Sequence, residues 1–181
     1  MLASLKMDKI DPATFTFHSI EACITEALAR YTFEPNERER VSVVDLREFQ
    51  FYGSDTLLTM VLFNLFKNAI YAIKAAGKGQ MVISTFLSPT VNTVCFTDTG
   101  IGVAADALPK LFDPFFTTKK SDGSGIGLAF CHRVMTSFGG CIRCESVPGK
   151  FTTFTLEFPV LCDEDGKPAA HIPKGQETAT E

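Results

Sequence analysis

Residues 54–79, SDTLLTMVLFNLFKNAIYAIKAAGKG, decide how this chain is built. Leu58, Val61, Leu62, Leu65, Ala69, Ala72 and Ile73 recur at helical spacing, which predicts one long helix with a broad apolar stripe. Ser54 supplies an N-cap, and Gly77 and Gly79 stop the helix. Asn64, Asn68 and Tyr71 lie four and then three residues apart, on one narrow stripe. Asn is a mediocre helix former and costly to bury unpaired, so two of them on an apolar helix need partners. Either the amides bond each other or face water, or an amide oxygen serves a hard cation such as Mg2+. That ion takes few protein ligands and completes its shell with water and substrate phosphates.

Around this helix the pattern alternates strands and helices. Upstream, TFTFH (14–18) reads as a strand, followed by a helix through Ile20, Cys23, Ile24, Ala27 and Leu28 with Ser19 as its cap. NERER (36–40) is a charged turn, with VSVVDL and REFQFYG expected to pair with each other across or beside it. Downstream, QMVISTFL and VNTVCFTD are β-rich runs joined by SPT, and CIRCESV and FTTFTLEFP form a hairpin across PGK. Residues 99–123 are long, glycine-flanked and only partly helical, a length that usually marks function or mobility. A helix is expected over 124–138, closed by Gly139 and Gly140. Long helices separated by hairpins, without regular βαβ units, predict an α+β two-layer sandwich. Residues 1–13 read as the end of an upstream segment, 14–160 as the domain, and 161–181 as a disordered linker.

Composition narrows the chemistry. At 181 residues and 45 % hydrophobic, the chain suits one domain burying about 70 % of its unfolded surface. A net charge of -4 and a pI near 5.4 exclude a surface built for nucleic-acid backbones, so any phosphate partner is small and locally bound. No apolar run approaches the eighteen or so residues of a bilayer span, and MLASLKMDKID lacks a signal-peptide core, so a cytosolic, soluble domain is expected. Cysteines 23, 95, 131, 141, 144 and 162 mostly sit in apolar runs and read as reduced core thiols. CIRC alone has metal-like spacing, but it lacks a second ligand pair, and on a strand positions three apart face opposite sides.

Two further stretches carry chemistry. Asp98 ends an apolar strand before Thr99, Gly100, Ile101 and Gly102. It is either a turn-forming Asp or an acceptor for a ligand amine, with glycines allowing close backbone approach. GSGIGLAF (123–130) places Gly123, Gly125 and Gly127 with Ser124 before a helix, whose unpaired N–H groups and dipole favour an anion. Tight packing at a helix start is the other reading. The spacing is neither G-x-x-x-x-G-K-[ST] nor G-x-G-x-x-G. AIK (72–74) lies within a helix and ahead of the glycines, the wrong order for a Ser/Thr protein kinase.

In series, NLFKNAIYAI (64–73), DTGIGV (98–103), LFDPFFTTK (111–119) and GSGIGLAF (123–130) resemble the N, G1, F and G2 boxes of sensor histidine kinases. The resemblance covers roughly Phe15 to Pro159. It implies the Bergerat-type ATP-binding fold shared with gyrase, Hsp90 and MutL, a mixed, mostly antiparallel sheet backed by three helices, with ATP under a mobile lid. By that resemblance Asn68 ligates Mg2+ and Asn64 supports metal and phosphates. Asp98 takes the adenine amino group, Gly100 and Gly102 shape the base pocket, and Gly123, Ser124, Gly125, Gly127 and the amide of Leu128 hold the phosphates. Tyr71 stands where many relatives carry a charged residue facing the nucleotide. Lys67 and Lys119 are candidates for phosphate charge.

ATPase relatives such as gyrase carry Glu at the position of Asn64. An amide accepts no proton at neutral pH, so transfer to another nucleophile is favoured over hydrolysis. Phe112, Phe115 and Phe116 put aromatic mass into a polar loop, either as lid packing or to dock the helical dimerisation domain that presents the substrate histidine. His18, His132 and His171 do not match the phosphoacceptor pattern. The expectation is a kinase catalytic domain using ATP and Mg2+, the cytosolic part of a dimeric, membrane-anchored sensor. A receiver domain is expected downstream, as in hybrid kinases of quorum sensing. A stand-alone ATPase clamp and a non-catalytic nucleotide- or partner-binding module are the rival readings.

Overall fold

The computed structural model describes residues 10–119 and 123–160. In chain order the elements are β1 (Thr16–Ser19), α1 (Ile20–Arg30), β2 (Val41–Val43), β3 (Gln50–Gly53), α2 (Asp55–Ala76), β4 (Met81–Phe86), β5 (Val91–Asp98), α3 (Gly127–Ser137), β6 (Cys141–Val147) and β7 (Phe151–Pro159). Five strands form one sheet in the order β2-β4-β5-β7-β6, while β1 and β3 pair separately. Only the β2–β4 pair of that sheet is parallel. Residues 1–9, nearly all of the expected upstream segment, and the expected linker 161–181 lie outside the described residues.

Alternation along the strands gives the two layers. Met81, Ile83, Val94, Phe96, Phe154, Leu156 and Phe158 are buried on the sheet face that the helices cover. Their neighbours on the other face are polar: Thr97 and Thr153 hydroxyls meet at 2.9 Å, and Arg143 and Cys141 both donate to Glu157. Cys141 and Cys144 thus face opposite sides of β6, as the strand period requires.

The expected stripe of α2 is buried throughout, from Leu58 to Ile73. The Ser54 hydroxyl accepts from the Leu57 N–H over 3.3 Å, and Gly77 ends the helix in the left-handed region at φ 69°. α2 has 22 residues, and an 18-residue window within it has a mean hydropathy of 1.4, so by length and composition alone it could cross a bilayer, against the expectation that no apolar run approaches that length. Here it is the central core helix, most of that window buried between α1, α3 and the sheet.

The expected pairing of VSVVDL with REFQFYG is not formed. β2 joins β4, with Val41 opposite Met81, and β3 joins β1, with Gly53 opposite Thr16. The fully buried Thr85 hydroxyl bonds the backbone at Asp45 and Arg47, drawing the intervening loop over the end of β4 and separating the two strands. Phe51 is then free to pack on Phe138 and Phe158. Two boundaries also move: β1 follows a helical turn at Pro12–Thr14 that Asp11 caps, and α3 begins at Gly127.

Candidate nucleotide site

A cleft opens between α2, the end of β5, the loop after β5 and the first turn of α3. It encloses about 930 Å³ of space, open solvent at its mouth included. Every residue singled out for the nucleotide, from Asn64 to Leu128, lines it except Gly100; Lys67 lines it as well.

Asp98 ends β5 at the floor, flanked in register by Met81 on β4 and Thr152 on β7, and is only 3 % exposed. Burial pushes its carboxyl up to about 6, and the Gly100 N–H, donating to Oδ1 over 2.9 Å, pulls the other way. A buried carboxylate with acceptor capacity facing the cleft suits a ligand N–H donor. Gly100 works from behind this wall. A Cβ there would collide with the backbone of Ala72, and Ile101 N–H donates to the Ala72 carbonyl over 3.2 Å.

At the opposite end, α3 differs from its neighbours. Ser19 and Ser54 cap α1 and α2, whereas Ile126 at the N-cap of α3 offers no side-chain bond. The first turn, with Gly127 and Leu128, faces the cleft, so its N–H groups and the positive helix end suit an anion. Asn64 sits against this turn: a Cβ on Gly127 would lie 2.5 Å from Asn64 Oδ1, while Asn64 Nδ2 donates to the Met60 carbonyl over 2.9 Å.

Asn68 faces another partner. Lys119 Nζ donates to Asn68 Oδ1 over 2.7 Å and stands 4.4 Å from the centre of the Tyr71 ring. The two asparagines therefore do not share one hydrogen bond; one braces the glycine turn and the other presents a hard oxygen to a cation. Among the described residues no three His, Cys, Asp or Glu side chains cluster as a metal cage. A hard cation in this cleft would hold Asn68 and draw its remaining ligands from water and phosphate, which fits the habit of Mg2+.

The three phenylalanines of LFDPFFTTK separate. Phe112 packs on the core and lies 5.9 Å from the His132 ring, Phe116 lines the cleft, and Phe115 is 77 % exposed. Of the three, Phe115 presents an open aromatic surface. Sequence reasoning missed Thr152, buried beside Asp98 on the adjacent strand. Its hydroxyl lies 3.2 Å from that of Ser146, which accepts from the Val103 N–H over 2.8 Å and so pins the start of the cleft loop to the β6–β7 hairpin. The available signal was phase: Thr152 is the one polar residue in register with Phe154, Leu156 and Phe158.

Residues 53–161 match the profile of the family described as histidine kinase-, DNA gyrase B- and HSP90-like ATPase. The chain is 44 % identical over 145 residues to the autoinducer 1 sensor kinase/phosphatase LuxN of Vibrio campbellii, covering 79 % of this chain and 17 % of that protein. It is 38 % identical over 160 residues to the CAI-1 autoinducer sensor kinase/phosphatase CqsS of Vibrio cholerae, covering 88 % of this chain and 23 % of the relative. It thus spans about a fifth of the length of these relatives. The solved catalytic domain of histidine kinase ThkA superposes with a TM-score of 0.66 at 27 % identity, over 80 % of this chain and 97 % of that domain. On the matched profile, the similar relatives and the superposed fold, the chain belongs to the histidine kinase-, DNA gyrase B- and HSP90-like ATPase family, as an ATP-binding domain of the sensor histidine kinase kind.

Proposed function

We propose that this domain holds ATP with Mg2+ and delivers the γ-phosphoryl group to a histidine on a separate helical dimerisation domain. The observation that carries the reading is convergence on one cleft: Asp98 at the floor, the uncapped start of α3 at the far end, and Asn68 between them. The adenine amino group donates to Asp98, and the α3 amides with Gly123, Ser124 and Gly125 receive the phosphates. Mg2+ supplies charge screening on the phosphate oxygens when bound, with Asn68 as its protein ligand.

In the transfer, the partner histidine nitrogen attacks Pγ in line, the N–P bond forms, and the Pγ–O bond to the β-phosphate breaks with its electron pair leaving on ADP. The imidazole proton passes to a base on the partner domain or to water. This chain's residues orient and screen; positioning dominates such reactions. Asn64 stands where a hydrolytic enzyme needs a carboxylate, and an amide that already donates to Met60 cannot activate water. Phe115 is the residue proposed to meet the dimerisation domain.

The relatives named as autoinducer sensor kinases support a parent that senses an autoinducer; the proposal extends to a dimeric, membrane-anchored kinase with its ATP site in the cytoplasm and a receiver domain downstream. The test mixes the domain with a separately produced helical domain bearing a phosphoacceptor histidine and γ-labelled ATP. Acid-labile label on that histidine supports the reading, and rapid release of inorganic phosphate without it points to an ATPase.

A further inference from the structure

Asn68 and Lys119 come from facing walls of the cleft, 51 positions apart, yet the ammonium donates directly to the amide oxygen over 2.7 Å. The same ammonium stands 4.4 Å from the Tyr71 ring centre, one helical turn along α2. The chain therefore places its own cation on the oxygen best suited to a metal. We infer that Lys119 and a divalent cation compete for Asn68 Oδ1, so that metal-bearing nucleotide drives Lys119 off α2 and toward the phosphates. The inference rests on the nucleotide reading of the cleft.

The argument is electrostatic and geometric. A singly charged ammonium and a doubly charged ion repel strongly at contact distance, so either one on the amide oxygen disfavours the other. Tyr71 gives the lysine its resting place, since an aromatic face attracts a cation where a basic side chain would repel it. This accounts for an aromatic residue at a position where a charge would otherwise face the phosphates. The Lys119 backbone is held beside the cleft, its N–H donating to Thr117 Oγ1 over 3.1 Å. Metal-free nucleotide leaves Lys119 on Asn68, whereas the metal complex releases it beside the anion. The cleft thereby distinguishes metal-loaded nucleotide from nucleotide alone, and Lys119 and Tyr71 become specificity-determining residues for the metal complex.

The test uses the 181-residue chain with carbon-13 lysine, ADP and MgCl2. ADP is chosen because it has no γ-phosphate to hold the released lysine. In the free protein the Tyr71 ring current is expected to shift the Lys119 ε-methylene upfield of the other lysines, and Tyr71→Leu to abolish that shift. Metal-free ADP leaves the signal upfield; added MgCl2 returns it to the ordinary position. Calorimetric titration of MgCl2 into the ADP-bound protein gives a second readout, in which Lys119→Met lowers the half-saturating concentration about tenfold, the scale of a lost charged hydrogen bond. An upfield signal that persists with Mg2+ and ADP bound, or an unchanged or weaker Mg2+ affinity in Lys119→Met, overturns the competition. ADP that perturbs no cleft resonance removes the nucleotide reading itself, and this inference with it.

Discussion

The Phe115 N–H donates to the Gly125 carbonyl over 2.9 Å, and both residues lie in the left-handed region, at φ 68° and 66°. This contact ties the loop that carries the aromatic residues to the glycine turn that opens α3. A phenylalanine there is strained, because its Cβ crowds the backbone, at a cost of about 1–2 kcal/mol. Gly125 permits the approach: a Cβ on it would collide with the Phe115 backbone. The Phe115 side chain points to solvent.

Gly125→Ala is accordingly expected to separate the two limbs and lower affinity for ATP analogues at least tenfold, while the far core around Phe158 stays folded. Calorimetry with an ATP analogue and far-UV circular dichroism check the two parts. Phe115→Gly is expected to do the reverse. Relief of strain raises Tm slightly, nucleotide affinity is kept, and phosphotransfer to the helical partner falls; equal transfer by both proteins would remove Phe115 from the docking surface.

Asp98 carries a pH signature. Its folded-state carboxyl, near 6, lies above the ordinary 3.8 because burial disfavours the charge. The adenine contact proposed for Asp98 needs the carboxylate, so nucleotide affinity is expected to fall as pH drops through about 6, and to be weak and flat in Asp98→Asn. Stability moves oppositely. A raised pKa contributes most below the unfolded value and is lost as pH rises through the folded one, a change on the order of 3 kcal/mol. Asp98→Asn should therefore melt higher than the parent at pH 8 and not at pH 4, as thermal scans at both pH values would report.

Gly100→Ala tests close packing rather than ligand contact. The added Cβ must displace the Ala72 backbone near the C-terminal end of α2, an overpacking cost of about 1–3 kcal/mol. Urea titration is expected to show a lower midpoint, with nucleotide affinity at low urea reduced through displaced Asp98, whose Oδ1 loses its alignment with the Gly100 N–H.

The thiols are expected to divide by burial. Cys23 is pushed up to about 11, and Cys131 and Cys144 to about 12, all chiefly by desolvation, with Asp98 adding to the effect at Cys144. Iodoacetamide at pH 8 should label these three far more slowly in the native protein than in urea, since the thiolate is the reactive form. Mass spectrometry of labelled peptides gives the rates; rapid native labelling of Cys131 would contradict the packing of α3 on α2.

Local chemistry was legible from the chain itself. Ser19, Ser54 and Gly77 mark helix ends because a cap depends on residues within one turn, and the α2 stripe and the β6–β7 hairpin depend only on period and a short turn. The order of the four boxes placed Asn64, Asn68, Asp98 and the three glycines in advance, and all of them line one cleft. Strand partnership was another matter. β2 finds β4 across 40 residues, and β3 finds β1, because the buried Thr85 hydroxyl and the ring of Phe51 choose between pairings that local pattern leaves equal. Gly100 behind the wall, Thr152 beside Asp98 and Lys119 on Asn68 belong to the tertiary structure alone. Each depends on backbones brought within a few ångströms by the sheet and α2, and distances of that kind leave no trace in residue order.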